Sequence, residues 1–449
     1  MTLLSVDWAG IGIKGLQLIL SLSILVTIHE LGHYGTAKWF KCRVEKFYLF
    51  FDPWFSIWKK KIGETIYGIG WIPFGGYVKI SGMIDESMDK EQMNQPAKPY
   101  EFRSKPAWQR LIIMVAGVIM NILLALFLFV MITYKWGDNN LPPENMKYGI
   151  YADTLAQKIG LQNGDKIIAL DNKPIENFFT IPVEIATTEA KTLQVMRNGK
   201  QVNIPIPDGY IQDLNHAKFE GFAGVQYPVI VDSVDKTKAH FIQNNLQKGD
   251  RVIAFNNHPT EYFDAFDKLK KPYANKEVDL TVLRGADTIN VKAKLTANSE
   301  VGFMNISPAK LFGTVHKSYT FAQSIPVGIH KCFETLDKYI SGLQLIFSGK
   351  VKASESVGSV FSMGNAFGDR WDWGRFWTLT AVFSIVLAFM NILPIPALDG
   401  GHALFCIYEI ITGRKPTDKF MEYAQMVGMV LLLGLMAYAL GLDIFRMFK

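Results

Sequence analysis

The sequence predicts a multi-pass α-helical membrane protein with four transmembrane helices, a membrane re-entrant β-hairpin-like loop and two tandem α+β modules. Three observations lead to this prediction. Hydrophobic residues make up 49% of the 449 residues, which is too apolar for a wholly soluble chain and too polar for a helical transporter. Four apolar stretches are long enough to cross a bilayer as helices. A large polar segment between the second and third stretches contains an internal repeat.

The four spans are predicted at about residues 11–34, 108–134, 376–393 and 426–442. They divide the chain into segments 1–40, 41–106, 107–135, 136–221, 222–308, 309–373, 374–404 and 405–449. Segment 38–110 holds thirteen Lys and Arg residues, and the short link 413–419 holds Arg414, Lys415 and Lys419. Because basic loops stay in the cytoplasm, both segments are expected there, and the large loop 135–373 and both termini are expected outside.

The first span carries a motif typical of zinc hydrolases. His29 and His33 are four residues apart, so they share one helix face and offer two imidazole ligands to Zn²⁺. Glu30 between them is the general base that such a site needs to activate water. The alternative is a helix with hydrogen-bonded core histidines. Ionisable groups at membrane depth are costly, which favours the metal site.

Two aromatic, glycine-rich stretches lie between the first two spans, at residues 44–51 and 66–79. Neither is long enough to cross a bilayer as a helix. They are interpreted as a re-entrant hairpin that packs against the first span, which carries His29 and His33. Non-helical backbone at membrane depth must face protein or water. An exposed strand edge there could pair with an unwound substrate, and Gly68, Gly70 and Gly75 are candidate substrate-binding positions. An amphipathic ribbon on the cytoplasmic surface is the alternative.

The outer loop contains the repeat. Eight of fourteen residues are identical between 161–174 and 246–259, at an offset of 85 residues. Each copy is predicted to form a short helix, a Gly-Asp turn, a strand and a tight turn. This pattern resembles PDZ domains, in which a strand edge and a helix form a peptide groove, and places them at 136–221 and 222–308. Two β-rich spacers are the alternative.

Segment 309–373 is predicted to lie on the outer membrane surface. Residues 316–347 have apolar side chains at helical spacing, which indicates an amphipathic helix or helix pair. Trp371 and Trp373 fit an interfacial aromatic belt.

A catalytic zinc site needs a third protein ligand, and the end of the third span offers one. Pro394 and Pro396 break the helix there and free backbone to line a site. Asp399 is a carboxylate at membrane depth, and a charge there is costly unless a cation balances it. His402 is the competing ligand, although a capping or supporting role suits it equally; Asp399 is preferred.

These motifs resemble those of the site-2 protease family of intramembrane metalloproteases. The matching elements are H-E-x-x-H from His29 to His33 and the N-x-x-P-x-P-x-L-D-G run from Asn391 to Gly400. The stretch that ends at Asn121 is similar to the family's G-x-x-x-N element. The likeness covers essentially the whole chain. One departure is Val357-Gly358-Ser359, where the family would have a Gly-Pro-Ile-like sequence.

The resemblance implies that His29, His33 and Asp399 hold Zn²⁺ and that Glu30 is catalytic. It also implies that Asn391, next to Pro394 and Pro396, binds substrate backbone. The expected substrates are single-span membrane proteins of the anti-sigma factor type, already trimmed by another protease, and remnant signal peptides. The expected location is the bacterial inner membrane, with the active site toward the cytoplasm and the PDZ modules and both termini in the periplasm.

Other functions are disfavoured by the sequence. The net charge of +6 is spread along the chain, so no nucleic-acid partner is expected, and Cys42, Cys332 and Cys406 lack metal-site or disulfide spacing. A membrane-anchored PDZ scaffold with a vestigial zinc site would have no use for Glu30. A zinc hydrolase acting on lipid would have no use for peptide-binding modules.

Overall fold

The computed structural model describes residues 8–83, 96–219, 221–235, 238–313 and 315–447. Within these ranges four helices are long and apolar enough to cross a membrane: Trp8–Trp39, Ala107–Trp136, Trp373–Ile392 and Lys419–Arg446. Each corresponds to one predicted span, so the prediction of four spans is confirmed. The third helix begins at a side-chain cap, because the Asp372 carboxylate accepts a hydrogen bond from the Arg375 amide.

The helices, in chain order, are α1 (Trp8–Trp39), α2 (Ala107–Trp136), α3 (Thr154–Lys158), α4 (Ile181–Thr187), α5 (Tyr210–His216), α6 (Phe263–Lys270), α7 (Pro308–Phe312), α8 (Phe321–Phe347), α9 (Ala353–Ser356), α10 (Val360–Phe367), α11 (Trp373–Ile392), α12 (Asp399–Thr412) and α13 (Asp418–Met447). The strands are β1 (Val44–Phe51), β2 (Trp58–Ile62), β3 (Thr65–Ile69), β4 (Ile72–Ile80), β5 (Asp138–Asn140), β6 (Ile150–Ala152), β7 (Lys166–Leu170), β8 (Lys173–Pro174), β9 (Thr192–Arg197), β10 (Lys200–Pro205), β11 (Ala223–Val225), β12 (Val229–Val234), β13 (His240–Gln243), β14 (Arg251–Phe255), β15 (His258–Pro259), β16 (Glu277–Arg284), β17 (Asp287–Lys294), β18 (Phe303–Asn305) and β19 (Val315–Lys317).

The chain forms two compact units, and the first contains the membrane helices. It comprises residues 1–137, 318–340 and 356–449. Helix α2 packs against α1, α11 and α12. Buried hydrogen bonds join the helices: the Ser21 and Thr380 hydroxyl oxygens are 2.9 Å apart, and the Ser384 hydroxyl donates to the Asn121 carbonyl at 2.8 Å. Such polar contacts between spans replace bonds that lipid cannot offer.

The two aromatic stretches of the first unit belong to one sheet, as expected, but the sheet is larger than a hairpin. It has four strands in the order β2-β3-β1-β4, with β3 parallel to β1. The additional strand, β2, contains Lys59, Lys60 and Lys61 and is exposed throughout. Sequence reasoning missed it because three consecutive lysines lack the apolar alternation of a half-buried strand. Insertion of the sheet into a bilayer stays a prediction.

The second unit comprises residues 138–317 and 341–355 and contains the repeat. In each copy a strand pairs with a short return strand, a helix follows, and a hairpin completes the sheet: β7-β8, α4 and β9-β10 in the first, β14-β15, α6 and β16-β17 in the second. The copies also share an ion pair between a buried carboxylate and a partly exposed arginine. Asp165 accepts two hydrogen bonds from Arg197, and Asp250 accepts two from Arg284. The repeat is therefore structural, while its identity as PDZ domains stays a prediction.

Asp250 shows why the turn needs its arginine. Burial alone would raise the pKa of this carboxyl, but hydrogen bonds from Arg284 and from the Gln247 amide more than offset burial, so the pKa lies below its ordinary value. The carboxylate therefore stays charged and holds the turn.

Among the described residues, the expected short helix is present in the first copy alone, as α3. The second copy has strand β13 at that place, where the prediction was wrong. His240 and Phe241 pair there with Lys294 and Ala293 of β17. Aromatic and β-branched side chains favour a strand where a partner edge is available.

The expected helix is present as α8 (Phe321–Phe347), but it begins five residues later than predicted, because Val315–Lys317 form strand β19. The first part of α8 does not lie across the ends of the spans. The Phe321 ring contacts Tyr134 at 5.8 Å, and Cys332 is buried in a cluster with side chains of α2 and α11. Farther along, the Tyr339 hydroxyl is 3.5 Å from the Met390 sulfur. The part up to Ile340 thus runs alongside α2 and α11, and Gly328 allows a close approach to α2, since a Cβ atom there would lie 2.6 Å from the Val130 backbone.

Candidate metal centre

Three potential ligand atoms converge on one point in the first unit. His29 Nε2 and His33 Nε2 are 3.2 Å apart, and Asp399 Oδ2 lies 3.1 Å from the first and 3.3 Å from the second. Both histidines are buried. The two imidazoles meet because i and i+4 residues share one face of α1.

Asp399 reaches the histidines because the chain breaks immediately before it. Helix α11 ends at Ile392, and Pro394 and Pro396 prevent its continuation. Ala397 has a left-handed backbone (φ +82°), and α12 then begins at Asp399. The expected helix break is thus present, but α12 crosses the predicted boundary at residue 404. Its 14 residues are too short for a span, so hydropathy did not separate it.

The far end of α12 is tied to α2. The Arg110 guanidinium donates to the Glu409 carboxylate at 2.5 Å, and its Nε donates to the Lys105 carbonyl at 3.0 Å. Only 8% of the Arg110 side chain is exposed. A buried, hydrogen-bonded ion pair of this kind fixes the position of the helix whose first residue is Asp399.

The three atoms fit a zinc ion. Tetrahedral zinc with bonds of 2.0–2.1 Å requires ligand atoms about 3.3 Å apart, which agrees with the observed separations. The set of two imidazoles and one carboxylate leaves a fourth position for water, as in catalytic zinc sites. Among the described residues, His29, His33 and Asp399 form the group that could hold a metal.

Helix α2 orients both imidazoles. The Nδ1 atom of His33 lies 2.8 Å from the Ile113 carbonyl oxygen, so it carries the proton and leaves Nε2 free to bind metal. The Nδ1 atom of His29 lies 3.2 Å from the Asn121 amide nitrogen. If His29 binds zinc through Nε2, its Nδ1 atom carries the proton. Turning the Asn121 amide by 180° would then present the amide oxygen as the acceptor of that proton. That oxygen is buried without a hydrogen bond among the described residues.

Close packing of α2 against α1 depends on Gly117. A Cβ atom at this position would lie 2.4 Å from His33 Nε2 and 2.8 Å from His29 Nε2. No side chain fits there without displacing the imidazoles. Asn121 and Gly117 are site residues to which sequence reasoning gave no role of their own. The signal was present, since an asparagine inside an apolar span needs a polar partner.

A cavity of about 360 Å³ adjoins the ligands. Glu30 lines it, next to Tyr77 and Val78 of β4, His402 of α12 and Gln425 of α13. Glu30 therefore lines the same cavity as the three ligands, and a general base must lie there to reach a metal-bound water molecule. Sequence reasoning did not identify Gln425, which is buried in α13.

The remaining candidate residues differ in how close they lie to the metal centre. The amide nitrogen of Asn391 lies 3.4 Å from His29 Nε2, so the structure brings Asn391 to the site. Pro394 and Pro396 shape the turn before Asp399. His402 lines the cavity but does not join the three converging atoms.

The glycines of the sheet are placed differently from expectation. Gly68 lies under the Tyr48 ring and Gly70 against the Phe51 carbonyl, and neither lines the cavity. Both are explained by close packing, because a Cβ atom would meet those groups within 2.4 Å. Gly75 lies within β4, where a Cβ atom would meet the Phe51 ring. The cavity is lined instead by the following residues of β4, whose outer edge is unpaired among the described strands. That edge, rather than Gly68 or Gly70, is the open hydrogen-bonding surface.

Comparison with known proteins gives matches over nearly the whole chain. The sequence model described as "Peptidase family M50" matches residues 17–435. "Regulator of sigma-E protease RseP" from Escherichia coli (strain K12) is 26% identical, with 96% of this chain and 98% of the relative aligned. A "Putative zinc metalloprotease" from Treponema pallidum (strain Nichols) is 25% identical over 91% and 94%. "Regulator of sigma E protease" from Haemophilus influenzae is 25% identical over 96% and 98%.

Proposed function

The chain belongs to peptidase family M50, and on that premise we propose that it is a zinc-dependent endopeptidase that cleaves peptide bonds within membrane spans. The site-2 protease family named from the motifs is therefore correct. One observation carries the proposal: the two imidazoles of α1 and the Asp399 carboxylate converge beside Glu30, among helices apolar enough to span a membrane.

His29, His33 and Asp399 would hold the zinc ion, which when bound supplies a Lewis acid that acidifies water and polarises the scissile carbonyl. Glu30 accepts one proton from the attacking water as the water oxygen bonds to the carbonyl carbon. It then gives this proton to the amide nitrogen as the C–N bond breaks, so a new carboxylic acid and a new amine result, and the acid passes its proton to the amine or to solvent. We propose that Asn391, whose amide nitrogen lies 3.4 Å from His29 Nε2, binds substrate backbone near the reacting bond.

The free edge of β4 is proposed to bind the substrate as an added strand. A transmembrane helix hides its amides in i→i+4 hydrogen bonds, so a segment must unwind before water can attack. The unwound segment would regain backbone hydrogen bonds on β4, beside Tyr77 and Val78.

We infer the substrate class from the relatives. Two of them carry the name regulator of sigma-E protease, which favours single-span membrane proteins of the anti-sigma factor type, trimmed beforehand by another protease. Remnant signal peptides are a second class. A membrane-anchored PDZ scaffold with a vestigial site is the alternative, and the presence of Glu30 beside three well-placed ligands argues against it.

Mapping the cleaved bond tests this function. Purified protein in detergent is incubated with a single-span model peptide, and the products are analysed by mass spectrometry. We expect one or a few cuts inside the apolar span and none after chelation of zinc. Cuts only in the flanking polar segments, or undiminished cutting with a chelator, would be incompatible with intramembrane zinc proteolysis.

The protein is proposed to lie in the bacterial inner membrane with the repeat modules in the periplasm. The excess of Lys and Arg in 38–110 and 413–419 supports this orientation. With the three native cysteines replaced, Thr417→Cys in intact cells is expected to react only with membrane-permeant thiol reagents. Asn215→Cys is expected to react with impermeant ones as well. The reverse pattern would place the zinc site toward the outer face.

A further inference from the structure

The sheet of the first unit carries two exposed features at different levels. The aromatic tip consists of Trp54, Phe55, Trp58 and Trp71, whose rings include stacked pairs at 6.1 Å and 5.7 Å. Trp54 is 90% exposed. The lysine strand is the part of β2 that follows Trp58, where Lys59, Lys60 and Lys61 are all exposed. No described residue forms an ion pair or hydrogen bond with their ammonium groups.

Contacts of the sheet with α1 show where the lysine strand lies along the axis of that helix. Lys60 pairs in register with Tyr67, and the Tyr67 hydroxyl is 2.6 Å from the Tyr34 hydroxyl of α1. Tyr34 lies five residues before the end of α1 at Trp39, or about 7.5 Å at 1.5 Å per residue. The lysines are therefore level with the last turns of an apolar span, where lipid headgroups lie.

The aromatic tip lies toward the middle of the same span. Gly76 of β4 is packed against Val26 and Glu30 of α1, which are about 20 and 14 Å from Trp39 along the helix. Trp71 follows beyond Gly76 in the direction of the tip, since β4 runs from Ile72 at the tip end to Ile80. An exposed aromatic cluster beside the apolar middle of a span is suited to hydrocarbon and not to water.

We propose that this end of the sheet docks on anionic phospholipid of the leaflet that it enters, with the aromatic tip among the acyl chains and Lys59, Lys60 and Lys61 on the phosphate groups. Three ammonium groups in a row, unpaired among the residues that the structure describes, complement a headgroup of net negative charge. A zwitterionic headgroup is a weaker partner because it carries its own cation. A soluble acidic protein would leave the aromatic tip exposed to water. The inference does not depend on the protease activity.

A quenching titration tests the proposal on the full-length protein. After Cys42, Cys332 and Cys406 are replaced by Ala, a fluorophore is attached to Ile62→Cys at the end of β2. Phosphatidylglycerol or phosphatidylcholine with a quencher near the headgroup is then added in neutral detergent micelles. Each lysine near a lipid surface contributes about 1 kcal/mol, or roughly fivefold in affinity. Phosphatidylglycerol is therefore expected to quench at least fivefold more tightly, and less so at high salt.

Three variants make the result specific. K59Q/K60Q/K61Q is expected to bring the affinity ratio of the two lipids close to one, and K59R/K60R/K61R to preserve the preference. K173Q/K200Q/K294Q, which removes the same charge from exposed positions of the second unit, is expected to change nothing. Equal quenching by both lipids in the wild type would overturn the proposal. So would an unchanged ratio in the glutamine variant together with slower cleavage of substrates that have acidic flanks, because the lysines would then contact substrate.

Discussion

Glu30→Gln is expected to abolish cleavage of a transmembrane peptide while zinc remains bound at one equivalent. Glutamine has the size of glutamate but cannot accept a proton from water, and none of the three ligands is altered. General bases contribute about 10²- to 10⁴-fold to rates, so the residual rate should be at most about 1% of the wild type. Metal analysis and a cleavage assay on the same purified sample measure both quantities.

Glu64→Gln is the matched control. It makes the same chemical change at an exposed residue whose carboxylate lies 3.8 Å from the Lys38 ammonium group, and it should leave the rate unchanged. Cleavage by Glu30→Gln at more than a few per cent of the wild-type rate would show that another group activates the water. Loss of zinc in this variant would instead make Glu30 a ligand.

Asp399→Asn is expected to lose zinc as well as activity. A neutral amide is a poor zinc ligand, and the two imidazoles alone do not complete a site. Even residues that only support a zinc ligand change metal affinity by about 10–100-fold, so the loss for a direct ligand should be at least about 100-fold. Competition with a chromophoric chelator measures the affinity.

His402→Ala is the comparison that decides between the two candidate ligands. His402 lines the cavity without joining the converging atoms, so this variant should keep zinc close to wild-type affinity. Stoichiometric zinc in Asp399→Asn together with its loss from His402→Ala would reverse the assignment.

The parts of the site that follow local rules could be predicted from the sequence. The spacing of His29 and His33 places them on one face of any helix, and Pro394 and Pro396 end a helix in any context. Asp399 could be selected because a carboxylate in an apolar segment needs a cation. The repeat could be recognised from the duplicated Gly-Asp turn, since the conformation of a turn depends on the residues within it.

The parts that depend on tertiary contacts could not be predicted. Lys59, Lys60 and Lys61 form a strand because β3 offers them an edge, and His240 and Phe241 do so because of β17. Gly68 and Gly70 must be glycines because Tyr48 and Phe51 of another strand pack directly against them. A linear sequence pattern does not reveal such contacts. Likewise, the support of His29 by Asn121 joins residues 92 positions apart.

The central claim is that one zinc ion, held by His29, His33 and Asp399, is required for peptide-bond cleavage. The most direct measurement is a titration of zinc into metal-free wild-type protein, with the cleavage rate of a single-span peptide recorded at each addition. The rate is expected to start near zero, rise in proportion to added zinc and level off at one equivalent per chain. Substantial cleavage by the metal-free protein, or no recovery at one equivalent while the protein remains folded, would contradict the claim.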